Sequence, residues 1–223
     1  MKVFLFPEYV ATLFAAKQLQ QPVKWISQRN EAFVSDSHGR DNVTNMKLGL
    51  NEKAEIVGLQ VNTIANLGGY LSNFAPFVAT EAGYSMLVGC YKVPEVGVKV
   101  QGVFTNTAPV DAYRGAGRPE AIYAIERLLD TAALDLDISP AEIRKRNFIT
   151  SADMPYETSL GSIYDSGDFG KNLDDALEIA QWDEFESRRS SAKLRGKLRG
   201  IGLATYIERC AGGAPEQARL EVS

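Results

Sequence analysis

Ala112-Tyr113-Arg114-Gly115-Ala116-Gly117-Arg118-Pro119-Glu120 is a bend with two glycines and two arginines that runs straight into a helix. Pro119 suits the first turn of that helix, because proline lacks the N–H that would go unpaired there. Ile122, Ile125, Leu129 and Ala132 then mark one helical face. Glycine lets a backbone come close to a ligand, free N–H groups at a helix start attract an anion, and arginine adds paired donors for phosphate or a polar ring edge. The spacing is not a Walker A loop, which ends in Gly-Lys-Ser/Thr. Nor is it a dinucleotide G-x-G-x-x-G, since Glu120 holds the third glycine position. Chemistry alone leaves two readings open: a site for an anion or polar cofactor, and a tight turn with two solvated arginines, the turn being the commoner case.

Outward from this bend, the alternation of Val96, Val98 and Val100 with Gly97, Lys99 and Gln101 predicts a strand reaching about Phe104. Met46, Leu48 and Leu50 alternate in the same way, as do Val57, Leu59 and Val61, with a turn at Asn51-Glu52-Lys53-Ala54. Residues 43–66 are therefore predicted to form a hairpin that Gly68-Gly69 interrupts. Residues 70–90 show no single period. Nearer the start, residues 3–6 read as a short strand. Pro7 opens a helix whose face is Tyr9, Val10, Leu13, Phe14 and Lys17, and residues 23–28 read as extended. On the other side, Ser139-Pro140-Ala141-Glu142 is a capping box that starts a helix running to about Asn147. Residues 150–170 read as loop, 171–195 as helical, 201–206 as an apolar stretch. Ala218, Leu220 and Val222 alternate as a strand with no partner after it, the pattern of a chain cut inside a larger domain.

The 223 residues are 45% hydrophobic and 23% charged, the composition of an ordinary globular protein with room for a substantial core. A net charge of -4 argues against a broad grip on nucleic acid. Arg144-Lys145-Arg146 reads instead as a solvated helix end, where cations favour the dipole. Two cysteines, Cys90 and Cys210, and one histidine, His38, exclude a four-cysteine or multi-histidine metal centre within these residues. The cysteines read as small apolar residues, the low cysteine content as cytoplasmic, and His38 as a structural or surface residue in a turn. Trp25 reads as core. The apolar run at residues 3–6 is too short for a membrane span. Glu81 and Glu208 are the carboxylates nearest glycine-rich or mixed stretches, and a solvated or ion-paired role is the ordinary one for each.

The bend at 112–121 resembles the cofactor-contacting segment of the xanthine dehydrogenase/aldehyde oxidase family, in particular large subunits of the aerobic carbon monoxide dehydrogenase type. Other motifs follow in the family's order, so the resemblance covers nearly the whole chain. They are residues 2–9, Pro22-Val23-Lys24-Trp25, His38-Gly39-Arg40-Asp41, residues 65–70, Phe104-Thr105-Asn106-Thr107, residues 140–147, Tyr164-Asp165-Ser166-Gly167 and residues 199–203. The resemblance implies an α+β fold of mixed sheets packed with helices. It divides the chain into a first molybdopterin-binding subdomain at 1–150, incomplete at its N-terminus, a connecting loop and helix at 151–198, and the truncated start of a second subdomain at 199–223.

The function so implied is that of a molybdenum hydroxylase subunit, oxidising an aldehyde, an aromatic heterocycle or a similar small molecule with water as oxygen source. The cofactor is molybdopterin, as the cytosine dinucleotide in many bacterial members, with [2Fe–2S] clusters and FAD on partner subunits. Arg114 matches the family arginine that contacts the pterin, and Gly115 and Gly117 join it by their place in the same loop. No catalytic residue is assigned, because the family's glutamate base belongs beyond Ser223 and its GGFG segment before Met1. The isolated chain is expected to be inactive. Molybdenum–copper members carry a cysteine near the matching arginine, and this loop has none. Purine-hydroxylating members carry an acidic residue, an arginine and an aromatic where this chain has Val3, Ala82 and Ala116. Copper, CO and purines are therefore not expected. From the residues alone, two further classes stand beside this one: a noncatalytic module binding a phosphate-bearing ligand, and a structural or subunit-interface domain.

Overall fold

A computed structural model describes residues 6–209 and residue 219. Apart from Phe6 and Arg219, the strands expected at residues 3–6 and 218–222 lie outside the described residues, as does Cys210. Within them the fold is α+β, as expected. A three-stranded sheet in the order β1-β2-β3 is built from β1 (Asn42–Leu50), β2 (Ile56–Gly68) and β3 (Val96–Phe104). The β1–β2 pair is antiparallel, the predicted hairpin, whereas β2 and β3 run parallel. A parallel neighbour requires a crossover, and residues 69–95 provide it through a short helix, α3 (Ala75–Phe77), and a π-helical turn, Val78–Ala82.

Alternation holds along β2, where Leu59, Val61, Thr63 and Ala65 point inward. The predicted inward position of Val57 is a miss, because Gly49 pairs with Gly58 and Leu50 with Ile56. Val57 is the extra residue of a bulge and faces out, leaving Ile56 to enter the core.

Helix α4 (Arg118–Asp135) lays Ala121, Ile125, Leu129 and Ala133 against the sheet, with Leu87, Val88, Tyr91 and Val93 of the crossover packed beside them. The face is rotated slightly from the predicted one, with Ile122 and Ala132 half-buried at its margins. Helix α5 (Pro140–Asn147) starts as read: the Ser139 hydroxyl accepts the Glu142 N–H at 3.0 Å. Its end is only partly as read: Lys145 and Arg146 are exposed, but Arg144 is not. Arg144 is 0% exposed, the largest fully buried side chain among the described residues. It pairs with Glu126 at 2.8 Å and Asp130 at 2.9 Å, both on α4. Lys145 pairs with Asp174, and Arg146 with Glu142 while also donating to the Lys53 carbonyl. Asn147 receives the Ile56 N–H and donates to the carbonyls of Ala54 and Ile143, which clamps the β1–β2 turn to α5. Ion pairs hold this basic run, across elements for Arg144 and Lys145 and within the helix for Arg146.

The remaining elements are α1 (Pro7–Leu19), α2 (Arg29–Ser35), a two-stranded hairpin of β4 (Tyr156–Glu157) and β5 (Ile163–Tyr164), α6 (Phe169–Ile179) and α7 (Phe185–Leu194). The helical reading of 171–195 thus divides in two, broken where Gln181 adopts φ 48°. Residues 23–28 and 201–206 make no sheet pairs, and the stretch read as loop contains the small hairpin. The predicted apolar face of α1 is largely exposed, and Trp25, expected in the core, is exposed as well. Cys90 is buried, which pushes its thiol up to about 12, with Glu126 adding to the effect, so it is chemically quiet near neutral pH.

Removing one partner of a buried pair leaves the other charge stranded, typically at a cost of about 3–5 kcal/mol. Arg144→Ala should therefore lower the melting temperature by roughly 10 °C. The double change Arg144→Met with Glu126→Gln should recover much of that loss. A melt of Arg144→Ala within two or three degrees of the parent (an approximate margin on the same scale) would deny the pair its role.

Candidate functional site

The carboxyl ends of the parallel strands β2 and β3 lie side by side, and loops leaving such ends commonly form binding sites. Three segments meet there: residues 36–41, 66–72 and 105–120. Asn66 fastens them. Its amide nitrogen donates to Asp41 at 2.7 Å and to Thr107 Oγ1 at 3.0 Å. Its amide oxygen accepts from the Gly68 N–H and from Thr105 Oγ1, both at 2.8 Å. All four hydrogen-bonding capacities of this buried side chain are thereby met. Gly68, at φ +80°, lies so close to the next loop that a Cβ would sit 2.4 Å from Pro109 Cα. His38 extends the contact through its backbone: its N–H donates to the Pro109 carbonyl and its carbonyl accepts the Asp111 N–H. The imidazole is exposed, in keeping with a surface residue. Asp111 is buried and accepts from the Ser72 hydroxyl and the Ala112 N–H.

The predicted site residues follow. Gly115, Ala116 and Gly117 have φ +97°, +46° and +89°, so three consecutive residues are left-handed and one of them carries a Cβ. The Ala116 N–H closes a turn onto the Tyr113 carbonyl, and the Arg118 N–H closes another onto the Gly115 carbonyl. The space left by the missing side chains is filled by the protein itself. A Cβ on Gly115 would lie 2.5 Å from Pro119 Cγ, and one on Gly117 would lie 2.3 Å from the Val78 carbonyl oxygen. The side chain of Arg114 is exposed, and its guanidinium makes no hydrogen bond or ion pair to any described residue. Nor do the N–H groups of Gly115 and Gly117 donate to one.

Sequence reasoning missed the groups that hold this loop. Arg40 reaches across from residues 36–41: its guanidinium stacks 4.8 Å above the Tyr113 ring, Nη2 donates to the Arg114 carbonyl, and Nε lies 3.5 Å from Glu120. On the other side Arg118 Nε pairs with Glu208 at 3.2 Å, while its Nη1 approaches the Gly115 carbonyl at 3.5 Å. Glu208 is thus ion-paired, the ordinary role anticipated for it, and Glu81 is exposed on the π-helical turn. Two clefts flank the loop. One of about 470 Å³ is lined by Arg40, Met46, Glu120, Tyr123 and Arg127, and one of about 460 Å³ by Met86, Tyr164, Ile207 and Glu208. Among the described residues no group of histidine, cysteine or carboxylate side chains is arranged to hold a metal ion. The donors here are a guanidinium and amides, a set that suits an anionic or hydrogen-bonding organic ligand.

Comparison with known proteins agrees with that chemistry. Residues 1–148 match the family described as the molybdopterin cofactor-binding domain. The chain is 34% identical, over 98% of its own length and 28% of the relative's, to the 6-hydroxypseudooxynicotine dehydrogenase complex subunit gamma of Paenarthrobacter nicotinovorans. It is 35% identical, over 95% of its length and 27% of the relative's, to the carbon monoxide dehydrogenase large chain of Hydrogenophaga pseudoflava. Among solved structures, quinoline 2-oxidoreductase from Pseudomonas putida 86 superposes with a TM-score of 0.79 at 31% identity, covering 85% of this chain and 24% of that one. The chain therefore spans about a quarter of the length of the curated relatives it matches.

Two glycines separate backbone strain from collision. Gly117 and Gly161 both have positive φ, but a Cβ on Gly161 meets nothing within 4 Å. Gly161→Ala should cost only the strain of a left-handed alanine, about 1–2 kcal/mol. Gly117→Ala should cost clearly more in the same thermal melt, and equal losses would mean that the loop yields freely.

Proposed function

The chain belongs to the molybdopterin cofactor-binding domain family, and from that premise we propose that Arg114, with the backbone of Gly115 and Gly117, holds the pterin cofactor of a molybdenum hydroxylase. The observation that carries this reading is the Arg114 guanidinium, left without a partner among the described residues on a loop held by Arg40 and by its own turns. A guanidinium and the unpaired Gly115 amide fit the polar ring edge and phosphate of a pterin, offering donors where the ligand has acceptors. When bound, the group supplies redox chemistry at molybdenum for hydroxylation with oxygen from water. The residues described here bind and orient it; the general base is taken to come from outside residues 1–223, so these residues alone are expected not to turn over.

The cofactor is the cytosine dinucleotide form, and the electrons pass to [2Fe–2S] and FAD on partner subunits of a cytoplasmic complex. No described helix is long and apolar enough to cross a membrane. The substrate is an aldehyde or aromatic heterocycle, and the names of a pseudooxynicotine dehydrogenase and a quinoline oxidoreductase among the relatives favour the heterocycle. Subdomain boundaries near 150 and 198 belong to the proposal too, although Leu173 of the connecting stretch packs in the core of the first unit.

One observation favours a second reading. Both loop glycines are explained by internal packing against Pro119 and Val78, as they would be in a bend that only turns the chain. Arg114 separates the two, since packing does not use its side chain. In the whole gene product, made in a host that synthesises molybdopterin, Arg114→Ala should lower molybdenum and oxidised-pterin fluorescence several-fold at unchanged melting temperature. Full cofactor loading with normal turnover would leave the loop as a turn.

A further inference from the structure

We propose that Arg40 is a positioning residue for the cofactor loop, fixing the Arg114–Gly115 peptide so that its N–H and the Arg114 side chain are presented to the ligand; the inference rests on the functional reading above. A trans peptide is planar, with its carbonyl and N–H directed oppositely. Because Arg40 Nη2 takes the Arg114 carbonyl, the Gly115 N–H must face away from Arg40, and it donates to no described residue. The guanidinium lies so close that a Cβ on Gly115 would come within 3.5 Å of Nη2.

The surrounding sequence is arranged for this reach. Arg40 is itself left-handed at φ +58°, a conformation rare for a long side chain and kept only where neighbours over-determine it. Gly39 lets the segment press against the loop, since a Cβ there would lie 2.6 Å from Tyr113 Cβ. The His38 backbone bonds to Pro109 and Asp111 set the register of the approach. From that position one planar group meets three targets: the Tyr113 ring, the Arg114 carbonyl and Glu120. A lysine ammonium is a compact point charge on a flexible stem and cannot satisfy all three together.

The test uses the whole gene product from a molybdopterin-synthesising host, reading amide hydrogen exchange across residues 113–117, pterin and molybdenum content, and melting temperature. Arg40→Ala should speed exchange at Ala116, whose N–H closes a turn onto the Tyr113 carbonyl, by roughly tenfold, the fold-change of about 1.4 kcal/mol, and lower pterin content several-fold, with little change in melting. Arg40→Lys, which keeps the charge and stem and serves if the alanine variant does not fold, should restore neither property. Unchanged exchange would overturn the clasp, as would recovery of both properties by lysine. Faster exchange with full pterin loading would overturn its role toward the cofactor. A parent protein devoid of pterin would sink the functional reading, whereas the exchange comparison judges the clasp by itself.

Discussion

The buried ion pair between Arg144 and Glu126 is the constraint on which the rest of the structure depends. Taking two charges out of water costs several kcal/mol for each ion, and their attraction offsets this only with near-complete hydrogen bonding. That condition is met. Arg144 Nε donates to Glu126 Oε2 at 2.9 Å, Nη1 to the Pro140 carbonyl, and Nη2 to the carbonyls of Glu126 and Leu203. Glu126 also receives the Tyr91 hydroxyl and the Thr205 N–H. Burial by itself would lower the pKa of Arg144, yet the Glu126 carboxylate, by charge and hydrogen bond, with Asp130 beside it, raises it on balance, so the cation persists. For Tyr91, burial first and then Glu126 push the phenol upward, keeping it a neutral donor.

Such a network specifies more than it stabilises, since a well-packed apolar replacement often does as well energetically. Here it leaves one register for four segments: α4, α5, the crossover at Tyr91, and residues 203–205. Tyr91 also stacks on Phe148, with ring centroids 5.6 Å apart, immediately after α5. Glu126 lies eight residues into α4, about 12 Å from its start. Fixing the helix at that point fixes the direction from which Arg118, Pro119 and Glu120 enter the loop. A polar lock in the core is thus connected, through one rigid helix, to the site at the edge of the sheet.

The legible parts of the sequence were those set by local chemistry. Period-two alternation identified the hairpin and β3, and Pro119 and Ser139-Pro140 identified the starts of α4 and α5. Helix α2 was missed because its N-cap is Gln28, an uncommon cap whose box with Glu31 shows only in three dimensions. The bulge at Val57 and the parallel setting of β3 depend on partners, and no short window contains them. Arg144 misled for a similar reason: three basic residues at a helix end look solvated until the acidic face of α4 is known to cover the first. The loop itself was found from its glycines and arginines. Arg40 and Glu208 were not found in this role, because Arg40 is 74 residues from the Arg114 carbonyl it holds and Glu208 still farther from Arg118 at the helix start, contacts made only after folding.

The energetic scale of the loop explains why it needs these remote contacts. A left-handed non-glycine residue costs about 1–2 kcal/mol, and both Ala116 and Arg40 are left-handed. Against this stand a charge-assisted hydrogen bond of about 1.5–3 kcal/mol and an exposed cation–π contact of about 0.5–1 kcal/mol. The partly exposed pair of Arg40 with Glu120 adds little, on the order of 0.2–1 kcal/mol, and serves mainly to aim the guanidinium. Gain and strain are therefore of similar size. A loop so balanced keeps its shape only while contacts from residues 38–40 and 208 are present together, which makes the outward face of Arg114 a property of the assembled fold and not of the nine-residue motif. The glycines permit the bend, but the arginines on either side decide which way it faces.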